Sequence, residues 1–440
     1  MSELAARRLI ADDATHSHYV TMVNLPEATR PAGLSRLATF VAQSLAHYSK
    51  SRNFDFGPER RSNVSLLSPY VRHRLLLEQE LLEATLQHHS LGVADKFVQE
   101  VFWRTYFKGW LEHRPDVWAD YRTNVAGLIK TLETDSDLLR RYTKAIEGKT
   151  GIECFDTWIA ELQQTGYLHN HTRMWFASIW IFTLGLPWQL GADFFLRHLL
   201  DGDPASNTLS WRWVAGLHTK GKMYLALSSN IARYTDNRFD PSGQLAPKAQ
   251  PQTESRVFPL RELPSADLAP DGRAYGLLIT EEDASPETLD VNHKPRSVLG
   301  VLATTQRSPL PVGERVQQFA TGAITDALRR ATQHFAVDGQ FARSSDWNNL
   351  LTDWAKHHDL KTIVTGYAPV GPVAEMLAAT RQHLHEQGID LLQIRRPYDS
   401  LAWPHAQRGY FKLKAKIPEL LHSLGIETQE EKYVEQSEAV

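Results

Sequence analysis

The chain has 440 residues, 42% of them hydrophobic, with a net charge of −3 and an isoelectric point near 6.7. That length can bury the cores of two ordinary domains, and the charge excludes a globally basic nucleic-acid binder while leaving room for a local basic face. A single cysteine, Cys154, excludes intramolecular disulfides and cysteine-cluster metal sites, the N-terminus MSELAARRLIADDATHSHYV lacks the apolar core of a signal peptide, and no apolar run could cross a bilayer. A cytoplasmic monomer with no membrane or metal partner is expected.

From residue 30 to 235 the segments LSRLATFVAQSLAHY, LLLEQELLEATLQHH and DKFVQEVFWRTYFKGWLEH carry apolar residues at three-to-four spacing, which predicts an all-helical domain over 1–238. Residues 239–272 are rich in proline and polar side chains and read as a linker. Beyond them YGLLIT, SVLGVLATT, LKTIVTGY and DLLQIRR alternate with ERVQQFATGAITDALRRATQHF and GPVAEMLAATRQHLHEQG, the pattern of a Rossmann-like parallel α/β domain over 273–425, followed by a tail at 426–440.

Two neighbouring stretches concentrate polar chemistry. In DGDPASNTLSWRWVAG, Asp201 and Asp203 stand where a helix gives way to a turn before Pro204, as caps do, and Trp211 and Trp213 read equally well as core. In TGYLHNHTRMWFASIWIFTLGLPW, Asn170, Arg173 and Met174 share a helical face, and Arg173 is a natural partner for Asp201. A buried arginine–carboxylate pair contributes little as fold glue, so a bound polar cofactor is a better reason for it.

These runs resemble the flavin-binding domain of the cryptochrome/photolyase family, whose TGW-HNR-RM and DGD-A-N--W-W patterns occur here in order and at matching spacing. Upstream, FVQEVFWRTYF is similar to the family's F--ELIWREFY and SNVSLLSPY to its GTSRLSPYL. The resemblance implies a blue-light-driven flavoprotein holding a U-shaped FAD. Tyr48, Ser65, Leu67 and Ser68 would hold the cofactor, Gln99, Arg104, Asn170, Arg173, Asp201 and Asp203 would line it, and Asn207 would face the flavin N5 position. Glu100, Trp103, Met174 and Trp213 match positions that contact a flipped-out cyclobutane pyrimidine dimer, and Arg52 matches an arginine near substrate. Asn170 and Met174 stand where (6-4) photolyases carry histidines, which disfavours that chemistry.

The resemblance also marks departures. Val64 and Leu66 replace a threonine and an arginine of the phosphate loop, Tyr167 replaces a tryptophan and Arg212 a glutamine. Trp211 and Trp188 match the inner and middle members of an electron-transfer chain of tryptophans, but Asp135 stands at the outer position, so Tyr142, Trp158 or another aromatic must complete the path, or photoreduction is slow. The flavin motifs begin almost at once, and DSLAWPHAQRGYFKLKAKIPELL is similar to the family's exit from its antenna domain, as expected of a circular permutation that places the α/β antenna-like domain last. An antenna chromophore is left unassigned; TGYAPVGPVAEM is a glycine-containing turn but no dinucleotide fingerprint.

The basic residues Lys50, Arg52, Arg60, Arg61, Arg72 and Arg74, with Lys220 and Lys222, are candidates for phosphate contact. The sequence therefore points to photolyase repair of damaged DNA, single- or double-stranded, with a cryptochrome-like photoreceptor as the alternative.

Overall fold

The computed structural model describes residues 25–270 and 272–427; the expected tail at 426–440 lies mostly outside them, as do the first 24 residues. Among the described residues twelve α-helices fill the first half: α1 (Arg30–Gln43), α2 (Leu45–Ser51), α3 (Ser68–Arg72), α4 (Glu78–His88), α5 (Leu91–Glu112), α6 (Pro115–Thr134), α7 (Ser136–Ile146), α8 (Glu153–Thr165), α9 (Asn170–Ser178), α10 (Trp188–His198), α11 (Pro204–Ala215) and α12 (Ser228–Tyr234). The second half holds β1 (Gly276–Ile279), β2 (Ser297–Val301), α13 (Glu314–Phe335), β3 (Gly339–Ala342), α14 (Trp347–His357), β4 (Thr362–Gly366), α15 (Pro372–Glu386), β5 (Asp390–Ile394), α16 (Pro397–Ala402), α17 (Tyr410–Lys414) and α18 (Ile417–Ser423).

The five strands among the described residues form one parallel sheet in the order β3-β2-β1-β4-β5, with Leu277 opposite Val298 and Val364. Alternation divides its side chains between two layers. Leu278, Leu299 and Val301 pack with Trp347, Leu351 and Leu377 of α14 and α15. Leu277, Ile279 and Val298 pack with Phe319 and Ile324 of α13, in a core that continues into Tyr70, Leu76 and Phe102 of the helical half. One apolar core thus spans both halves. The sequence reading found β1, β2, β4 and β5 but named neither β3 nor α14; β3 is a four-residue edge strand, GQFA, half of it exposed, with no apolar run to mark it.

Residues 239–270 contain no helix or strand. They are strapped to both halves: Gln252 N–H donates to the Ala215 carbonyl at 2.9 Å, Arg261 N–H to that of His113 at 2.8 Å, and Asp267 accepts from Gln393 N–H at 2.8 Å.

Helix α5 positions most of the site. Ser90 caps it, accepting from Val93 N–H at 3.4 Å, and the four-residue spacing of Glu100, Arg104, Lys108 and Glu112 aligns four ionisable groups along it. Gly109 admits the second half at close range, because a Cβ there would lie 2.8 Å from Ala406 and 2.9 Å from Trp403.

Candidate functional site

α8 ends on Gly166, which adopts the left-handed φ of 66° that favours glycine, and the chain turns sharply into α9. There Arg173 donates from Nε to the Leu168 carbonyl and from Nη2 to Asp201 Oδ2, both at 2.9 Å. Its guanidinium also faces the Tyr167 ring at 5.4 Å, while Arg61 covers that ring at 4.6 Å and pairs with Glu161. Burial pushes the Tyr167 phenol up to about 12 and the Glu161 carboxyl up to about 7.

Asp203 is both cap and charge partner. One oxygen accepts from Ser206 N–H at 2.7 Å; the other lies 3.5 Å from Arg104 Nη2 and 3.5 Å from Lys108 Nζ. Burial alone would raise this carboxyl, but Arg104, Lys108 and Arg72 hold it far below the usual carboxylate range. Asn207, one turn into α11, donates from Nδ2 to the Ala192 carbonyl at 2.7 Å, which fixes its side chain and leaves its carboxamide oxygen without a hydrogen bond among the described residues.

The segment SNVSLLSPY leads into α3. Ser65 Oγ accepts from Leu67 N–H at 3.4 Å, Leu66 takes a left-handed φ of 55°, Leu67 is buried and Ser68 half-buried. Tyr48 packs edge-on against Phe40 and Phe97 at 5.5 and 5.7 Å, and burial together with Glu100 raises its phenol. Gln99 turns its amide to Asp95 at 2.5 Å, Asn170 is exposed at the start of α9, and Met174 is half-buried on the same helix.

Glu100 pairs with Arg52, and burial raises the carboxyl although Arg52 opposes the shift. Trp103 lies flat against Tyr410, ring centroids 3.6 Å apart and planes 11° apart, and Trp213 stacks on Tyr224 at 5.7 Å. Each indole therefore has one face backed by a tyrosine.

Trp211 is buried against Phe195 and Trp180 at 5.1 and 6.2 Å; Gly191 gives it room, since a Cβ there would fall 2.3 Å from its ring. Tyr142 continues from Trp180 at 6.1 Å, whereas Trp188 stacks on Tyr121 at 5.8 Å and Tyr121 on Trp118 at 5.3 Å. Trp158 packs on Trp175 and Phe239. Asp135 caps α7, accepting from Asp137 and Leu138 N–H.

One expectation needs correction. Arg72 and Arg74 do not belong to a phosphate-facing surface: each is 1% exposed. Arg72 binds Glu282 through two bonds of 2.8 and 2.7 Å and the Gly202 carbonyl at 2.8 Å, and Arg74 binds Asp399 at 2.8 and 2.6 Å. Both are spent joining the two halves, and Arg61 is held by Glu161 and Tyr167; Lys50, Arg60, Lys220 and Lys222 remain exposed. The turn in TGYAPVGPVAEM is likewise engaged, because Glu112 accepts from Tyr367 Oη and Val370 N–H at 2.6 Å each.

Sequence reasoning missed Lys108, Glu282, Arg307 and Tyr410. Arg307, 2% exposed, sits behind the Asp201–Asp203 turn with no hydrogen bond from any guanidinium nitrogen, and burial beside Arg72 pushes it down to about 10. No motif signals it, because it reaches the turn from the other half of the chain. A cavity of about 660 Å³ lies elsewhere, at the carboxyl end of β5, lined by residues that include Glu78, Leu268, Asp290 and Arg396. Among the described residues no cluster of histidine, cysteine and acidic side chains could hold a metal, and no helix is long and apolar enough to cross a membrane.

Buried polar atoms without a hydrogen-bond partner among the described residues gather around the turn: Asp201 Oδ1, Ser206 Oγ, Arg104 Nε and Lys108 Nζ. Such orphans fit a polar ligand that supplies the missing hydrogen bonds. Residues 97–255 match the FAD binding domain of DNA photolyase. The chain is thus similar to that domain over residues 97–255. It is 26% identical over 225 residues to the deoxyribodipyrimidine photo-lyase of Vibrio cholerae, covering 50% of this chain and 46% of that one. It is 33% identical over 181 residues to that of Streptomyces griseus, covering 41% and 37%. A crystal structure of a class III photolyase from Agrobacterium tumefaciens aligns with 48% of this chain and 42% of its own, at 26% identity and a TM-score of 0.40. The chain spans about half the length of the curated relatives it matches or less. FAD fits the photolyase-type domain through the orphaned groups around Asp201 and Asp203.

Proposed function

We propose that the protein is a light-driven lyase that splits cyclobutane pyrimidine dimers in DNA. FAD, when bound, supplies the light absorption and the electron that no side chain here can supply. The side chains bind and position. Arg173, Asp201 and Asp203 hold the cofactor with Tyr48, Ser65, Leu67, Ser68, Gln99, Arg104 and Asn170 around it, and the free carboxamide oxygen of Asn207 faces the flavin N5 position.

The observation that carries repair is Glu100: a half-buried carboxyl that retains its proton more readily than usual, on the same helix face as Trp103 and held by Arg52. A carboxyl so placed can donate a hydrogen bond to a pyrimidine carbonyl, while the open faces of Trp103 and Trp213 and the thioether of Met174 enclose the unstacked bases. Arg52 both meets a phosphate and orients Glu100. A cryptochrome-like role is favoured by one observation, the covering of one Trp103 face by Tyr410, which narrows the stacking surface.

We further propose a division into a helical FAD-binding domain at 1–238, a linker at 239–272 and an antenna-like α/β domain at 273–425, in the permuted order. The parallel sheet downstream of the flavin motifs supports this reading.

Binding tests the lesion site. The FAD-loaded protein should bind single-stranded DNA bearing a thymine dimer more tightly than undamaged DNA, with affinity falling steeply as salt rises. Trp213→Ala should reduce discrimination by about 1–3 kcal/mol, the usual worth of one base–aromatic stack. Equal affinity for damaged and undamaged strands would refute the lesion site.

A further inference from the structure

The second half of the chain brings another aromatic and basic element to the edge of α5. Tyr410, the first residue of α17, is buried flat on Trp103, and its hydroxyl donates to the Gln99 carbonyl at 3.0 Å, which pins α17 to α5. Phe411, the next residue, turns outward: its ring centroid is 5.9 Å from that of Tyr410 and the residue is 76% exposed. The rings of Trp103, Tyr410 and Phe411 thus run from the wall of the proposed lesion site to open solvent.

The charge around Phe411 is one-sided. Between Asp399 and Glu419 the sequence holds Arg408, Lys412, Lys414 and Lys416 and no acidic residue. Arg408 and Lys412 are exposed, and Lys416 is paired with Glu419 at 2.6 Å. The acidic groups facing this segment from α5 are already engaged, Asp95 by Lys96 at 3.2 Å and Glu100 by Arg52. An exposed aromatic ring flanked by free cations matches what an unpaired nucleotide offers, a base face beside a phosphate.

We propose that Phe411, Arg408 and Lys412 form a contact for single-stranded nucleic acid next to the lesion site, with Phe411 stacking on an unpaired base and the two cations meeting phosphates. This rests on the reading that the site takes DNA, but it concerns the strand beside the lesion and requires no damage.

The test uses the full FAD-loaded chain and a fluorescently labelled, undamaged oligothymidylate, with affinity read by anisotropy across a salt series. Phe411→Ala should weaken binding by about fivefold to a hundredfold, and Phe411→Tyr should restore it. Arg408→Ala with Lys412→Ala should lower the magnitude of the logarithmic salt slope by about 1.4, two single-strand phosphate contacts. Retained FAD and an unchanged melting temperature in each variant confirm the fold. If the parent binds and Phe411→Ala binds equally well, this inference is overturned alone. If the parent does not bind the oligonucleotide, the DNA reading falls and this inference with it. Loss of adhesion to anionic lipid vesicles in Phe411→Ala, with DNA affinity unchanged, would reassign the patch to a membrane surface.

Discussion

Arg173 and Asp201 meet through one oxygen only: Nη2 lies 2.9 Å from Oδ2, while Oδ1 is buried with no partner. A pair built only to hold the fold would satisfy both oxygens, since an unsatisfied buried acceptor is costly. Asp201→Ala should therefore strip the protein of FAD, measured as flavin absorbance after gel filtration. It leaves the half-buried Arg173 without its carboxylate partner. Full occupancy in Asp201→Ala and Arg173→Ala would show that these residues hold something else.

Asn207 should tune the cofactor without being needed to bind it. Its amide nitrogen is committed to the Ala192 carbonyl at 2.7 Å. In Asn207→Asp an oxygen would face that carbonyl, and the repulsion favours a protonated acid. The flavin reduction potential should then shift and become pH-dependent while FAD occupancy stays full. A potential and pH response identical to the parent would place another residue at N5.

Ring contacts redraw the electron path. Trp188 leads to Tyr121 and Trp118, and Trp211 to Trp180 and Tyr142, whereas Trp158 stacks on Trp175 and Phe239. Trp211→Phe should strongly slow light-driven flavin reduction, Trp188→Phe and Tyr121→Phe should slow it less, and Trp158→Phe and Asp135→Ala should leave it unchanged. Stopped illumination with absorbance detection checks this; equal rates in all variants would mean that electrons arrive by another route.

Stability should fall on mild acidification. Burial holds His218 down to about 4 and His198 down to about 3, so each is neutral in the fold and takes a proton more readily when unfolded. Their contribution is complete above about pH 6.5 and is lost as pH falls toward the folded value. Going from pH 7.5 to 5 should remove about 2 kcal/mol per histidine. Glu161, raised to about 7, opposes this, because its carboxyl is more easily protonated in the fold. Thermal melts should show a lower midpoint at pH 5, and a smaller drop in His218→Gln; a flat profile would contradict the burial of these rings.

Legibility in the sequence followed the range of the interaction. Asp201, Asp203 and Arg173 were readable because they fall in two short segments whose spacing encodes a helix face and a cap, whereas Asn207 and Trp211 were singled out only by the resemblance. Four of the five strands were readable as apolar runs, and β3 was not. Arg72 and Arg74 were misread as surface because nothing within tens of residues shows that Glu282 and Asp399 will meet them. Tyr410 on Trp103 and Arg307 behind the turn were invisible for the same reason: each contact joins residues more than a hundred positions apart.

Light decides whether the protein repairs DNA. The FAD-loaded, fully reduced protein is mixed with an oligonucleotide carrying one thymine dimer, illuminated with blue light, and the product is assayed by chromatography against a dark control. Two intact thymines should be restored in the light only, at a rate reduced in Glu100→Ala and Trp213→Ala. No reversal in either single-stranded or duplex DNA, with FAD bound and reduced, would contradict repair.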